Sequence, residues 1–374
     1  SGDGGSDQDI LVAGGSFRQN GYNGFLNDND NPIELRNAWT GNSGGYITTI
    51  AQLPPSAAGK NVRLRWRFGM DNNTGVEGWF VDTVQIGGQS QCSFASGPNK
   101  RSDFDGDGKS DFPVYRPSGG NWYVWTANSQ FIGVDWGVSG DIPVPADYDN
   151  DGKTDPAVYR PGQGGNPGYF YVLKSSDLTF LAVPWGGAGD IPVVRDYDAD
   201  GLADFAIYRP ATGTWYVYEA DAGFQSVAFG IPGDTPIPGD FDGDEKADFT
   251  VRRDGVWWTY QSSTGNVVGT AWGVASDLAA PADYDGDGTD DIAIYRPIDG
   301  GWWILRSSDL GVTGLAWGGQ NGDIPVPGDY DGDDKYDVAI YRAGTWWVYF
   351  SVGGHTSVFF GAPTDIPVAK AYLP

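Results

Sequence analysis

The apolar residues of this chain fall into short runs that recur in one fixed order. PVYRP (113–117), AVYRP (157–161), AIYRP (206–210 and again 293–297) and AIYRA (339–343) each read as an alternating strand. A Gly-rich turn comes after each. Next is an aromatic strand carrying Trp122 and Tyr123, Trp215 and Tyr216, Trp257 and Trp258, Trp302 and Trp303, or Trp346 and Trp347. A further strand ends near Trp136, Trp185, Trp272 or Trp317, with Phe229 and Phe360 as variants. Segments similar to DIPVP, at 141–145, 190–194, 323–327 and 365–369, complete the unit. Short alternating runs bounded by Gly, Pro and Asp are strand signals, and the short turns between them make each unit an antiparallel meander.

Each unit feeds an Asp-rich stretch: 103–111 (DFDGDGKSD), 147–155 (DYDNDGKTD), 196–204 (DYDADGLAD), 240–248 (DFDGDEKAD), 283–291 (DYDGDGTDD) and 329–337 (DYDGDDKYD). Their starts lie 44, 49, 44, 43 and 46 residues apart. Four short strands in about 45 residues is the period of a propeller blade. One four-stranded sheet cannot bury both of its faces, whereas blades stacked about an axis can. The repeating Trp and Tyr then fill the space between blades.

The expected fold class is all-β: a six-bladed β-propeller of four-stranded antiparallel blades over 103–374, with seven blades as the alternative. The tail DIPVAKAYLP (365–374) starts like the other closing segments but has Ala371 where another Asp loop would begin. It is expected to supply the missing strand of blade one and close the ring. Donation of that strand to another molecule is the alternative, because an unpaired strand edge invites pairing. The in-register Arg116, Arg160, Arg209, Arg296 and Arg342 read as framework residues, each pairing with an Asp of a neighbouring blade.

Composition agrees with this reading and narrows the chemistry. The chain has 58 Gly, 24 Pro, 16 Trp, 20 Tyr and 18 Phe among 374 residues, and helix-favouring composition is missing. A single Cys (Cys92) and a single His (His355) leave no disulfide framework, no Cys/His zinc cluster and little scope for a histidine triad. Cys92 reads as an inert thiol near a linker. With no specific nucleophile–base arrangement in view, the chain is expected not to be an enzyme. No apolar stretch approaches transmembrane length and no signal peptide is seen, so a chain beginning at Ser1 reads as a processed or trimmed form.

The formal charge of −26 is concentrated rather than diffuse. Twenty-four Asp occupy four positions in each of the six loops; without them, 25 acidic residues face 23 basic ones. That pattern argues against nucleic-acid mimicry and for local cation binding, and no nucleic-acid partner is expected.

Carboxylates at positions 1, 3 and 5, with Gly at 6, wrap oxygen donors around a hard cation, and a closing carboxylate completes the shell. The candidate ligands are Asp103, Asp105, Asp107 and Asp111; Asp147, Asp149, Asp151 and Asp155; Asp196, Asp198, Asp200 and Asp204; Asp240, Asp242, Asp244 and Asp248; Asp283, Asp285, Asp287 and Asp291; and Asp329, Asp331, Asp333 and Asp337. Calcium accepts such a flexible oxygen set, whereas magnesium demands a stricter octahedron and transition metals favour His or Cys. About six Ca²⁺ are expected, one per loop, which would bring the formal charge from −26 to −14. The closing acid stands at position 9 and position 12 is apolar, so these loops are flanked by strands and are not EF-hands. Metal-free Asx-rich turns are the plain alternative. Glu245 and Asp334 replace the Gly of position 6, where positive φ is usual, so the loop 240–248 is expected to be the most strained.

These loops and the strands after them resemble the FG-GAP/VCBS repeat family, over roughly 103–374. The resemblance implies a propeller, calcium held by Asp103, Asp105, Asp107, Asp111 and their equivalents, and an extracellular adhesion or recognition role. Residues 1–90 show no such repeat. ITTIAQLP (47–54), NVRLRWRFG (61–69) and GWFVDTVQI (78–86) read as strands. NPIELRNAWTGNSGGY (31–46), together with the LRWR and GWFVD runs, resembles part of the jelly-roll modules of the MAM-like and cleaved-adhesin groups. A small β-sandwich over 1–90 and a linker over 91–102 are therefore expected. Asp71 and Asp82 are weaker candidates for another cation.

Three functions compete at this point. One is a secreted or cell-surface bacterial recognition or adhesion protein, binding an extracellular protein or a glycan. The second is a protomer of an extracellular fibre, binding copies of itself. The third is a carbohydrate-binding, lectin-like protein, or an appendage fragment of a secreted hydrolase.

Overall fold

The computed structural model describes residues 102–219, 223–320 and 322–368, with the short strands Ser16–Gln19, Gly24–Phe25, Asn37–Ala38 and Ile50–Gln52. The chain divides into two compact units, Ser1–Ser93 and Phe94–Pro374. In the first, Ser16–Gln19 pairs antiparallel with Ile50–Gln52, and Gly24–Phe25 with Asn37–Ala38. The strands expected at 61–69 and 78–86, with Asp71, Asp82 and Cys92, lie outside the described residues.

The second unit is a six-bladed β-propeller of four-stranded antiparallel sheets. Blade two shows the plan: Ile142–Pro143, Ala157–Arg160, Tyr169–Leu173 and Phe180–Pro184 lie side by side in chain order. Blades three to six repeat it, their second strands being Phe205–Arg209, Phe249–Arg253, Ile292–Arg296 and Val338–Arg342. Blade one is assembled from both ends of the unit: Ile366–Pro367 pairs with Phe112–Arg116, and Asn121–Trp125 and Phe131–Asp135 complete the sheet. The tail thus closes the ring within its own chain. Alternation explains the layering. Third strands such as Asn121–Trp125 bury every second residue, and fourth strands such as Phe131–Asp135 leave every second residue exposed.

The core lies between blades. Phe112 and Val114 of blade one pack with Tyr330, Tyr341 and Trp346 of blade six, and Phe112 stacks on Tyr330 at 5.1 Å between ring centres. Within a blade, Trp122 Nε1–H donates to the Trp136 carbonyl at 2.8 Å; across to the next blade, Trp136 Nε1–H donates to the Tyr171 carbonyl at 3.0 Å. The cross-blade bond recurs from Trp185 to Tyr216, from Trp272 to Trp303 and from Trp317 to Trp347. Phe229 and Phe360 occupy the equivalent position in blades three and six and have no N–H to give, so the ring is modulated every third blade.

The recurring arginines differ from the sequence reading in one respect. Each forms a bidentate pair with an Asp of its own blade and not of a neighbour: Arg160 with Asp141, Arg209 with Asp190, Arg296 with Asp277 and Arg342 with Asp323. The register is the cause. Ile142 faces Tyr159 across the first two strands, which sets Asp141 opposite Arg160. In blade one the partner is Asp365 of the closing tail, bonded to Arg116 at 2.8 Å twice. Arg253 pairs with Asp234 in blade four and completes the set of six; its VRR context hides it from a search for YRP.

Candidate metal centre

Each Asp loop leads into the second strand of its blade, and in blades two to six it joins the first strand to the second. Two residues in every loop take positive φ: Gly106 and Gly108, Asn150 and Gly152, Ala199 and Gly201, Gly243 and Glu245, Gly286 and Gly288, Gly332 and Asp334. This double left-handed turn aims successive amides inward. Gly106 and Asp107 N–H donate to Asp103 Oδ1 at 2.7 and 3.2 Å, and Gly108 N–H donates to Oδ2 at 2.9 Å. The strain expected at Glu245 (φ 70°) is present, and Ala199 (φ 64°) shares it at position 4, which the Gly-at-6 signal does not reveal.

Position 9 is pinned from two sides. Asp111 Oδ2 accepts from Phe104 N–H at 2.7 Å, and its Oδ1 accepts from Ala127 N–H at 2.8 Å, beyond the third strand. Asp155, Asp248, Asp291 and Asp337 do the same with Ser175, Ser262, Ser307 and Ser351.

These bonds bring positions 1, 3 and 9 together. Donor atoms of Asp103, Asp105 and Asp111 lie within 4.8 Å of one another, as do those of Asp147, Asp149 and Asp155, of Asp196, Asp198 and Asp204, of Asp240, Asp242 and Asp248, and of Asp283, Asp285 and Asp291. Position 5 is engaged differently. Asp107 accepts from Asn128 Nδ2, and Asp151, Asp244, Asp287 and Asp333 accept from the hydroxyls of Ser175, Ser262, Ser307 and Ser351. Those serines escape a reading of the loops alone, although pairs such as Ser175-Ser176, Ser262-Ser263 and Ser307-Ser308 recur in the sequence. The second serine of each pair holds position 3, as Ser176 holds Asp149 Oδ2.

The clusters carry uncompensated negative charge. Burial pushes Asp111, Asp248, Asp291 and Asp337 up to about 7, Asp155 to about 6 and Asp204 to about 8, against backbone hydrogen bonds that lower them; neighbouring Asp add to the rise. At position 3, Oδ1 of Asp149, Asp242, Asp285 and Asp331 is buried with no hydrogen-bond partner among the described residues. A buried carboxylate oxygen left this way costs free energy unless something supplies positive charge. The donor set is oxygen alone, which fits a hard divalent cation.

No family model matches the chain, and no curated relative matches it. Solved structures similar to the propeller include a virginiamycin B lyase from Staphylococcus aureus, at 8% identity and a TM-score of 0.41 over 68% of this chain and 86% of that one. An Agrocybe aegerita lectin specific for non-reducing terminal N-acetylglucosamine is similar at 16% identity and a TM-score of 0.44, over 64% of this chain and 73% of its own. A streptogramin B lyase is similar at 9% identity and a TM-score of 0.43, over 71% of this chain and 85% of its own. The lyases correct the expectation that the chain is not an enzyme, since enzymes stand among the propellers similar to it. At these identities they assign no activity to this chain either. Among the described residues, no helix is long and apolar enough to cross a membrane.

Proposed function

We propose that this protein is a calcium-stabilised recognition propeller working outside the cell, in which one Ca²⁺ per Asp loop braces the blades and a ligand binds the propeller surface. The observation that carries the metal assignment is the partnerless, buried Oδ1 of Asp149, Asp242, Asp285 and Asp331 within their carboxylate clusters. Positions 1, 3 and 9 would hold the ion. Position 5 would complete the shell directly or through water while tied to the turn beyond the third strand. The resemblance of the loops to FG-GAP/VCBS repeats supports the same reading, and calcium modules outside the cell operate at roughly 10⁻⁴–10⁻³ M. The partner on this reading is an extracellular protein or glycan. Ile366–Pro367 closes its own ring, which removes the free terminal strand as a motive for the fibre alternative.

Elemental analysis and calorimetric titration of chelator-treated protein test the metal. About six Ca²⁺ per chain and a higher melting temperature in calcium are expected, since an ion that binds only the folded form stabilises it. Less than one ion per chain, with an unchanged melting temperature, would overturn the proposal.

A further inference from the structure

At the six junctions between neighbouring blades, the aromatic that ends a fourth strand meets the third strand of the next blade. In most of them that aromatic is covered by other rings. Trp136 packs on Phe180, Trp185 on Tyr218 and Phe224, Phe229 on Tyr260, Trp317 on Tyr349 and His355, and Phe360 on Trp125 and Phe131. Trp272 alone in this set makes no ring contact among the described residues. The sequence explains why: where blades three, four and six have Tyr218, Tyr260 and Tyr349, blade five has Leu305, and where blade two has Phe180, blade five has Val312. A cavity of about 210 Å³ opens there, lined by Trp272, Gly273, Ile294, Arg296 and Trp303. At Gly273 (φ +84°) a Cβ would stand 3.0 Å from Asp277 Oδ2 and 3.1 Å from Ile294 Cγ2, so glycine keeps the floor open. The matching cleft between blades one and two also has a leucine, Leu173, but it is smaller, about 140 Å³.

The second wall differs between blades as well. In blades one to three an arginine lies over the ring of the third-strand tyrosine, at 4.6 Å for Arg116 on Tyr123 and 4.7 Å for Arg160 on Tyr171 and Arg209 on Tyr216. In blade five the tyrosine is replaced by Trp303, which is 43% exposed. Arg296 there gives Nε and Nη2 to Asp277, whose carboxylate it neutralises.

We propose that this cleft between blades four and five binds a single pyranose residue of a glycan, stacked on Trp272 or Trp303 and hydrogen-bonded at its rim by Arg296, which the buried Asp277 holds in place. Three features select this ligand. The cavity falls below the roughly 300 Å³ at which pockets for drug-sized molecules begin, so one six-membered ring fills it. Indole faces with an adjoining guanidinium suit a ring whose C–H face is apolar and whose edge carries hydroxyls. The charge of Arg296 is matched by Asp277, and the chain is strongly acidic, which disfavours an anionic ligand.

The inference rests on the recognition reading and narrows it to a glycan. Saturation-transfer NMR on the full chain in calcium, with the methyl pyranosides of glucose, galactose, mannose and N-acetylglucosamine, tests it directly. Transfer to ring C–H protons of at least one is expected. Trp303→Ala should weaken binding at least tenfold, while Tyr171→Ala in the smaller cleft leaves it unchanged. Leu305→Tyr supplies the covering ring that blades three, four and six possess; it should abolish binding with the melting temperature kept or raised, which separates loss of the site from loss of the fold. Absence of transfer from all four sugars, or binding that survives both Trp303→Ala and Leu305→Tyr, would overturn the assignment. Six-ion calcium binding in the same sample would then show that only the glycan site had failed.

Discussion

The Ser110 amide in the first Asp loop donates a 2.6 Å hydrogen bond to the carbonyl oxygen of Asp329 in the sixth. The same bond runs round the ring, from Thr154 to Asp103, Ala203 to Asp147, Ala247 to Asp196, Asp290 to Asp240 and Tyr336 to Asp283, at 2.6–2.8 Å. In each case position 8 of one loop is tied to position 1 of the loop before it. The loops form a continuous belt, and ordering one loop orders the backbone that the next one grips.

That belt predicts local coupling. Asp105→Ala with Asp111→Ala, which disable the first cluster, should raise hydrogen exchange at Thr154, whose amide bonds to Asp103, far more than at Ala247 two interfaces away. Equal effects at the two amides would show that the loops open independently of the belt.

The ring's seam should depend on Asp365. Asp365→Ala strands Arg116 and loosens Ile366–Pro367. Breaking a buried pair costs about 3–5 kcal/mol, and the exposure of Arg116 reduces the expectation to about 1–2 kcal/mol. Chemical denaturation of the variant measures it. Asp309→Ala, which breaks the exposed pair with Arg306, should leave the midpoint where it was.

Relief of the two strained loops should stabilise the fold. Glu245→Gly and Ala199→Gly each replace a Cβ-bearing residue at positive φ, for a gain of about 1 kcal/mol apiece. Thermal melts in calcium would reveal a rise in both. A fall in both would mean that unfolded-state entropy outweighs the strain.

The pH dependence should reverse with metal. In the metal-free protein the position-9 carboxyls hold their protons up to about pH 6–8, whereas in the unfolded chain they lose them near 4. Between those limits the folded form binds more protons, so metal-free stability should fall as pH rises from about 4 to about 7. Calcium binding needs the ionised form, so its affinity should climb over the same range. Melting curves at pH 5 and pH 8, with chelator and with calcium, should cross in order; a metal-free melting temperature that rises with pH would contradict the burial of these groups.

The sequence by itself determined the repeat and the strand content of the blades. Both come from local rules: alternation, turn residues and a period near 45 are written in neighbouring positions. It also marked the Asp loops as places where oxygen donors gather, and Glu245 as a strained substitute for glycine. Only the tertiary structure decided which groups meet across long separations. Strand register turned Arg160 onto Asp141 of its own blade, and loop backbones brought positions 1, 3 and 9 together while a distant serine engaged position 5. The open face of Trp272 likewise depends on what Leu305 and Val312, more than thirty residues away, fail to cover. Such contacts arise from how sheets twist and stack, and no single stretch of chain encodes them.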